Sequence, residues 1–429
     1  MIDRDWIMRA ARRVDADLTR AGVDVARLRR RGFQAAALDK TALNHHRRYS
    51  LKLRFGAIED QGESGNCWLF APEVLVRSVA MKAGRIKIGQ SFSETFLYFF
   101  NLLERASAHL EGVYRLAVRK GLDGDTLRQG LSREVMGLAD GGEWEWAFGL
   151  IEKYGLIPSH RMPATASAKS TRALNVDLHE RLARATRAIL KTPEQYDAVR
   201  DRALRDVVRI LVASLGSPPY QVKLRGRTLS PTEYAEAMGF RASEWRVVIS
   251  NPRLPFHRVY ERRGSALGGR APGFNLRRLN VDQKRLRTLV RTSLETGHAA
   301  GFSADVERND IDHASGIMHP AIFNRARVYG TKVIRDLPRR EDIYLGVAAS
   351  NHAMVIAGLD SAPSRPAHPI KYQVVNSWGP DRGDHGTYHM YAAWFEENVF
   401  KLAVHESVLS RRELDAYNSP ESAPDGNFY

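Results

Sequence analysis

Apolar residues recur at helical spacing from the start of the chain. Ile7, Ala10, Ala11 and Val14 fall on one stripe, and in "VDVARLRRRGF" arginines alternate turn by turn with apolar positions. An amphipathic start of this kind predicts helices that dock on a neighbouring surface. "SFSETFLYFFNLLERASAHLEGVYRLAVRKG" predicts two helices, with Ser93 as N-cap and Gly121 as stop. In "DGGEWEWAFGLIEKYGLIP", residues 140–158, a glycine turn opens a helix that Gly155 and Pro158 end. Residues 165–215 are helical and studded with arginine until "SLGSPPYQ" breaks the run. Short mixed elements follow, among them "EWRVVISNPRLPFHRVY" and the glycine-rich "GSALGGRAPG", and then a helix over 281–296. The last third changes period. "HAMVIAGLD", "KYQVVNSWG" and "GTYHMYAAWF" are rich in β-branched and aromatic residues and are separated by turn formers, so they predict strands.

The chain is therefore read as α+β, with an active cleft expected between a helical lobe and a sheet lobe. Its segments are a helical arm over 1–50, a helical lobe over 51–160, a mostly helical segment over 161–300, a β-rich lobe over 301–410 and a C-terminal arm over 411–429. The 429 residues suffice for two or three lobes with a sizeable core. The longest apolar runs, "FLYFFNLL" and "ILVASLG", stop well short of the roughly 18 residues of a membrane helix. The start has no apolar core followed by small residues, as a secretion signal would, so the expected location is the cytoplasm.

Charge changes the picture only in the middle. The net charge is +16, and residues 161–300 alone hold 27 basic and 12 acidic side chains. Such a segment suits either a solvated arginine-rich face or a surface that attracts nucleic acid or another polyanion. No metal or cofactor site is expected. The fourteen histidines show no paired-ligand spacing, and His45 and His46 point in different directions.

One cysteine stands in the whole sequence, in "DQGESGNCWLF", residues 60–70. It can form no internal disulfide, which agrees with a reducing compartment. A thiolate is a strong nucleophile, but a free thiol has a pKa near 8.5 and needs activation. If "SGNCWLFAPEVLVRSVA" is a loop entering a helix, Cys67 sits at the positive end of the helix dipole. A histidine from elsewhere would complete the activation. His352 opens the strand "HAMVIAGLD", and Asn376 ends another strand 24 residues later. Adjacent strand ends would let the Asn376 carbonyl orient the imidazole while its other nitrogen faces the thiol. Trp378 could lie over that bond and keep water away. Upstream, the Gln61 amide and the Cys67 N–H would form an oxyanion hole. Each piece alone is commonplace; the conjunction is specific.

"DQGESGNCWLFA", "NHAMVIAG" and "YQVVNSWGPDRGDHGTYHM" resemble the three active-site segments of papain-like cysteine peptidases, in the same order. The bleomycin hydrolase and bacterial aminopeptidase C branch is suggested by "SFSETFLYFFNLLER", "DGGEWEWAFGLIEKYGLIP" and "AAWFEENVFKLAV". The 285 residues from Cys67 to His352 point the same way, against the roughly 130 to 150 of a plain papain layout. The resemblance implies a two-lobed fold, a helical lobe facing an antiparallel sheet or barrel lobe, with residues 161–300 as a large insertion. It implies Cys67 as nucleophile, His352 as general base and acid, Asn376 as its orienter and Gln61 as oxyanion donor. Gly141 and Gly142 would be the cleft-wall pair that hydrogen-bonds an extended substrate. It implies a homohexamer acting on peptides, with the C-terminal carboxylate, here that of Tyr429, in the cleft as anchor for the free amine. This tail ends in bulky Phe428 and Tyr429 rather than small residues.

The expected activity is therefore that of a cysteine aminopeptidase. Two other readings use the same features. The machinery could serve a dedicated small-molecule or peptide amide, by hydrolysis or acyl transfer. Alternatively, the basic segment could make the chain a polyanion-binding scaffold with incidental catalysis.

Overall fold

The computed structural model describes residues 2–39, 41–42, 45–119, 124–135, 140–262, 275–308, 310–331 and 337–423. The chain opens with two capped helices. Asp3 accepts from the Trp6 N–H ahead of Arg4–Arg20, and Asp24 accepts from Arg27 N–H ahead of Val25–Ala37. No residue of the first helix is buried, so Trp6, Ile7, Met8 and Val14 present an uncovered apolar face. The second helix ends against the sheet lobe, where Ala36 and Ala37 pack on Ile317, Ile322 and Phe323.

The helical lobe is built on Cys67–Lys82, Glu94–Ala117 and Trp144–Tyr154. Ser93 caps the second of these through the Phe96 N–H, as its sequence predicts. The 24 residues that follow form one helix rather than two, and Gly121 lies outside the described residues. The helix runs through Gly112 because Leu110 and Val113 on either side are fully buried, and their packing outweighs the roughly 1 kcal/mol that a helical glycine costs. Gly155 stops the third helix at a φ of 78°, and a side chain there would meet the Pro231 backbone at 2.1 Å. Arg172–Lys191 and Tyr196–Leu215 pack on Glu94–Ala117 through Leu178, Leu182, Val207 and Leu211, leaving their arginines outward.

The sheet reaches further back along the chain than the β-rich reading of 301–410. From edge to edge its strands are Glu421–Ser422, Arg258–Arg262, Leu276–Asn280, Trp245–Ile249, Val399–His405, Ala300–Ala304, His352–Ser361, Pro369–Val375, Thr387–Tyr391, Ile317–Met318 and Ile311–Asp312. Leu51–Lys52 adds to the His352 strand. Residues 161–300 are thus helical only in part: between Trp245 and Asn280 they supply three strands, before the helix Gln283–Glu295 that the sequence predicts over 281–296. The "GSALGGRAPG" stretch lies outside the described residues. The pairs are mostly antiparallel, but three are parallel: Trp245–Ile249 with Leu276–Asn280, Thr387–Tyr391 with Ile317–Met318, and Glu421–Ser422 with Arg258–Arg262. "GTYHMYAAWF" is a strand only to Tyr391; Ala392–Asn398 turn into a helix that buries Trp394 and Phe395.

Alternation along the central strands sorts their side chains onto two faces. Val247, Ala353, Val355, Val375 and Ala403 meet the helical lobe. Phe302, Met354, Ile356, Leu402 and Val404 face the other way and are covered by Leu286, Leu289 and Val290 of the helix Gln283–Glu295. Small residues on the first face let Cys67–Lys82 lie close over the strand that His352 opens. Among the described residues no helix is long and apolar enough to cross a membrane.

Candidate active site

The segment before the cysteine is shaped by close contacts that exclude side chains. Gly62 has a φ of +61°, and a Cβ there would meet the Lys169 carbonyl at 2.7 Å. A Cβ on Gly65 would strike Asp140 at 2.5 Å, whose carboxylate accepts the Gly65 N–H at 3.0 Å. The other end is strapped to the sheet lobe: Gln61 N–H donates to Ser377 O at 2.9 Å, and Gly379 N–H to Glu59 O at 3.1 Å. The chain then enters the helix at Cys67, its first residue, as the sequence predicts.

At that position the thiol lies against the backbone N–H groups of Ala353, Trp68 and Cys67. Burial pushes the thiol pKa up, and those three donors pull against it. Ala353 directly follows His352, so the sulfur sits at the mouth of the histidine strand.

His352 is buried, and its Nε2 is 2.8 Å from Asn376 Oδ1. The same oxygen accepts the Ser377 N–H at 2.8 Å, which fixes the amide so that its oxygen faces the ring. Nε2 is therefore the protonated nitrogen, and Nδ1 of the neutral ring is left free to accept a proton. Trp378 stacks on the imidazole at 4.6 Å between centroids and 24° between planes. On its other contacts the indole meets His313 and Tyr388 edge-on, at 5.2 and 5.8 Å. Burial drives the His352 pKa down to about 4, with the Asn376 bond raising it and His313 lowering it further.

The sign of that shift gives a pH expectation. A ring that protonates only near 4 stays a competent base well below the ordinary histidine value of about 6.5. The acid limb of kcat/KM should therefore fall at least one pH unit below 6.5, with activity lost as pH drops through the folded-state value. A limb at or above 6.5, measured with a substrate that does not itself titrate there, would contradict the buried placement of the ring.

Gln61 is brought into the same cluster by Ser377, whose hydroxyl donates to Gln61 Oε1 at 2.6 Å. This fixes the amide with its NH2 group turned the other way, and Nε2 donates one hydrogen to Ser64 O at 2.5 Å. The second hydrogen remains for a ligand. Ser377 thus joins the orienting asparagine to the amide donor. It was not singled out from the sequence, and the only local signal is its place between Asn376 and Trp378.

Of the cleft-wall glycines, Gly141 adopts a φ of +97° and its carbonyl accepts from buried Arg105 at 2.6 Å. Gly142 lies so near the Trp68 indole that a Cβ would come within 2.3 Å of it. Gly142 therefore borders the residue next to Cys67. Tyr429 lies outside the described residues.

Comparison with known proteins follows the same outline. The model of the Peptidase C1-like family matches residues 1–424. Aminopeptidase C of Lactobacillus delbrueckii subsp. lactis is 26% identical over 418 residues, covering 91% of this chain and 89% of that one. Bleomycin hydrolase of Gallus gallus is 27% identical over 398 residues, covering 86% and 85%. The crystal structure of PepW from Lactobacillus rhamnosis superposes with a TM-score of 0.86 at 24% identity, over 98% of this chain and 97% of that one. The papain-like fold is therefore common to both along nearly their whole length. With the family model matched over residues 1–424, the chain belongs to the Peptidase C1-like family and is a cysteine peptidase.

Proposed function

We propose that the protein is an aminopeptidase that removes N-terminal residues from peptides through Cys67, His352 and Asn376. The observation that carries this reading is the His352–Asn376 bond under Trp378, beside a thiol held at a helix start by the amide of the very next residue. His352 Nδ1 takes the thiol proton as sulfur attacks the substrate carbonyl. The oxyanion is met by the remaining Gln61 N–H and by the Cys67 N–H, in a site whose donors are already oriented and cost no rearrangement. On collapse, the C–N bond breaks and the imidazolium gives its proton to the leaving amine. Water, deprotonated by the same ring, then releases the acid from the thioester.

The free-amine preference comes from the relatives, whose names include two aminopeptidases and a hydrolase. With it comes the expectation of a cytoplasmic hexamer. The uncovered apolar face of Arg4–Arg20 is consistent with burial against another copy. Turnover of aminoacyl fluorogenic amides beside their N-acetylated twins tests the specificity. Cleavage of the free-amine set alone supports the aminopeptidase. Cleavage of neither, with Cys67 still readily alkylated, moves the assignment to a dedicated amide substrate.

A further inference from the structure

The indole that covers the catalytic imidazole is not itself part of a strand. Trp378 lies beyond the end of Pro369–Val375, and its backbone is tied to the nucleophile loop on either side, by Gln61 N–H to Ser377 O and by Gly379 N–H to Glu59 O. Those bonds fix where the residue sits and leave the tilt of its half-buried side chain to be set by its neighbours.

One of those neighbours, His313, comes from a separate segment and is itself firmly placed. It opens the turn between Ile311–Asp312 and Ile317–Met318, two short strands that pair antiparallel. Gly316 closes the turn at a φ of +74°, with its N–H donating to Asp312 O at 2.8 Å, and Ser315 N–H donates to Asp312 Oδ2 at 3.1 Å. A Cβ on Gly316 would meet Asp384 N and Thr387 O at 2.9 Å, so the turn lies hard against 383–387. From there Gly383 N–H donates to His313 O at 2.8 Å. The imidazole is held at its tip as well, where Nδ1 is 3.3 Å from the hydroxyl of Tyr388 on the strand Thr387–Tyr391. The two rings meet at 6.1 Å and 81°, and each meets Trp378, at 65° for His313 and 84° for Tyr388. Three rings thus brace one another, and Trp378 carries the contact on to His352.

Edge-on rings restrain the tilt of an indole, because their positive edges favour a narrow range of angles against its π system. A tilted indole would open the His352–Asn376 bond to water, and hydration favours the charged form of the imidazole. The charges that face His313 are few. Burial, the largest effect, disfavours a proton on it, Arg382 of the adjoining loop opposes one too, and Asp312 beside it favours one. Tyr388 keeps its proton, again through burial first. At neutral pH His313 therefore acts as a ring, and a proton on it would oppose one on His352. We propose that His313 is a positioning residue for the general base: braced against Tyr388, it holds Trp378 flat on His352 and keeps water from the His352–Asn376 bond. The inference rests on His352 being the base and is independent of which peptides are cleaved.

The test is the pH dependence of kcat and KM in wild type, His313→Ala, His313→Phe and His352→Ala, beside thermal melts. In His313→Ala the indole loses its brace, so the acid limb of kcat/KM should move up by about one pH unit toward the ordinary histidine value, with kcat down about tenfold and KM little changed. His313→Phe keeps a ring edge on the indole without a titrating nitrogen, and should return the limb and most of kcat to wild type. A loss of stability alone would remove active enzyme at every pH and leave the limb where it was. A limb that stays in place in folded His313→Ala overturns the proposal, as does one that moves as far in His313→Phe as in His313→Ala. Should the alanine variant fail to fold, Tyr388→Phe takes its place, since it removes only the hydroxyl brace. A limb displaced in the same direction supports the proposal, and an unmoved one overturns it. Wild-type turnover in His352→Ala would remove the base itself, and this inference with it.

Discussion

Cys67→Ala should lower kcat/KM by on the order of 10⁴-fold or more while leaving the fold intact. No second thiol exists to take over, since the chain holds one cysteine. The oxyanion donors and the cleft would remain, and they alone account for whatever turnover persists. The structural cost is small, because Cys67 is only partly buried at a helix start and alanine favours the helix; a change within about 1 kcal/mol is expected. Burst kinetics and a thermal melt on the same sample separate the two effects. Normal turnover in the variant would remove the cysteine from the mechanism.

His352→Ala should cost on the order of 10³-fold or more, and Asn376→Ala about 10- to 100-fold. The order follows from what each removal leaves. Without His352 nothing takes the thiol proton, and burial keeps that proton on the sulfur. Without Asn376 the ring is still stacked on Trp378, so it loses the bond that fixes its protonated nitrogen but not its place. The Ser377 N–H would also lose its acceptor, and through Ser377 the Gln61 amide would be less firmly held. Equal losses at the two positions would mean that Trp378 does not hold the ring.

Much of this site was legible because its signals are local. A cysteine after a turn-rich run, a helix beginning at that cysteine, the Ser93 cap and the Gly155 stop all depend on a few neighbouring residues. The paired strands of His352 and Asn376 follow from their β-branched runs. What was missed depends on distant partners. Leu276–Asn280 reads as polar because Arg278 lies in its middle, yet that side chain is wholly buried against Glu143 and Glu145. An ion pair assembled from separate segments leaves no period in either of them. "AAWF" fits strand or helix equally by pattern, and the packing of Trp394 and Phe395 decides it. The split of "SFSETFLYFFNLLERASAHLEGVYRLAVRKG" failed for a related reason, since the burial around Gly112 is invisible to a propensity. Ser377 belongs to the same class: its hydroxyl holds Gln61, a partner hundreds of residues away in sequence.

The central claim is that the acyl group passes through Cys67. Intact-mass measurement of enzyme quenched in acid during turnover of an aminoacyl ester, followed by peptide mapping, tests it most directly. The account predicts one added acyl group, on the peptide that carries Cys67, and none in Cys67→Ala. Turnover with no adduct, or with the acyl group on another residue, would contradict it.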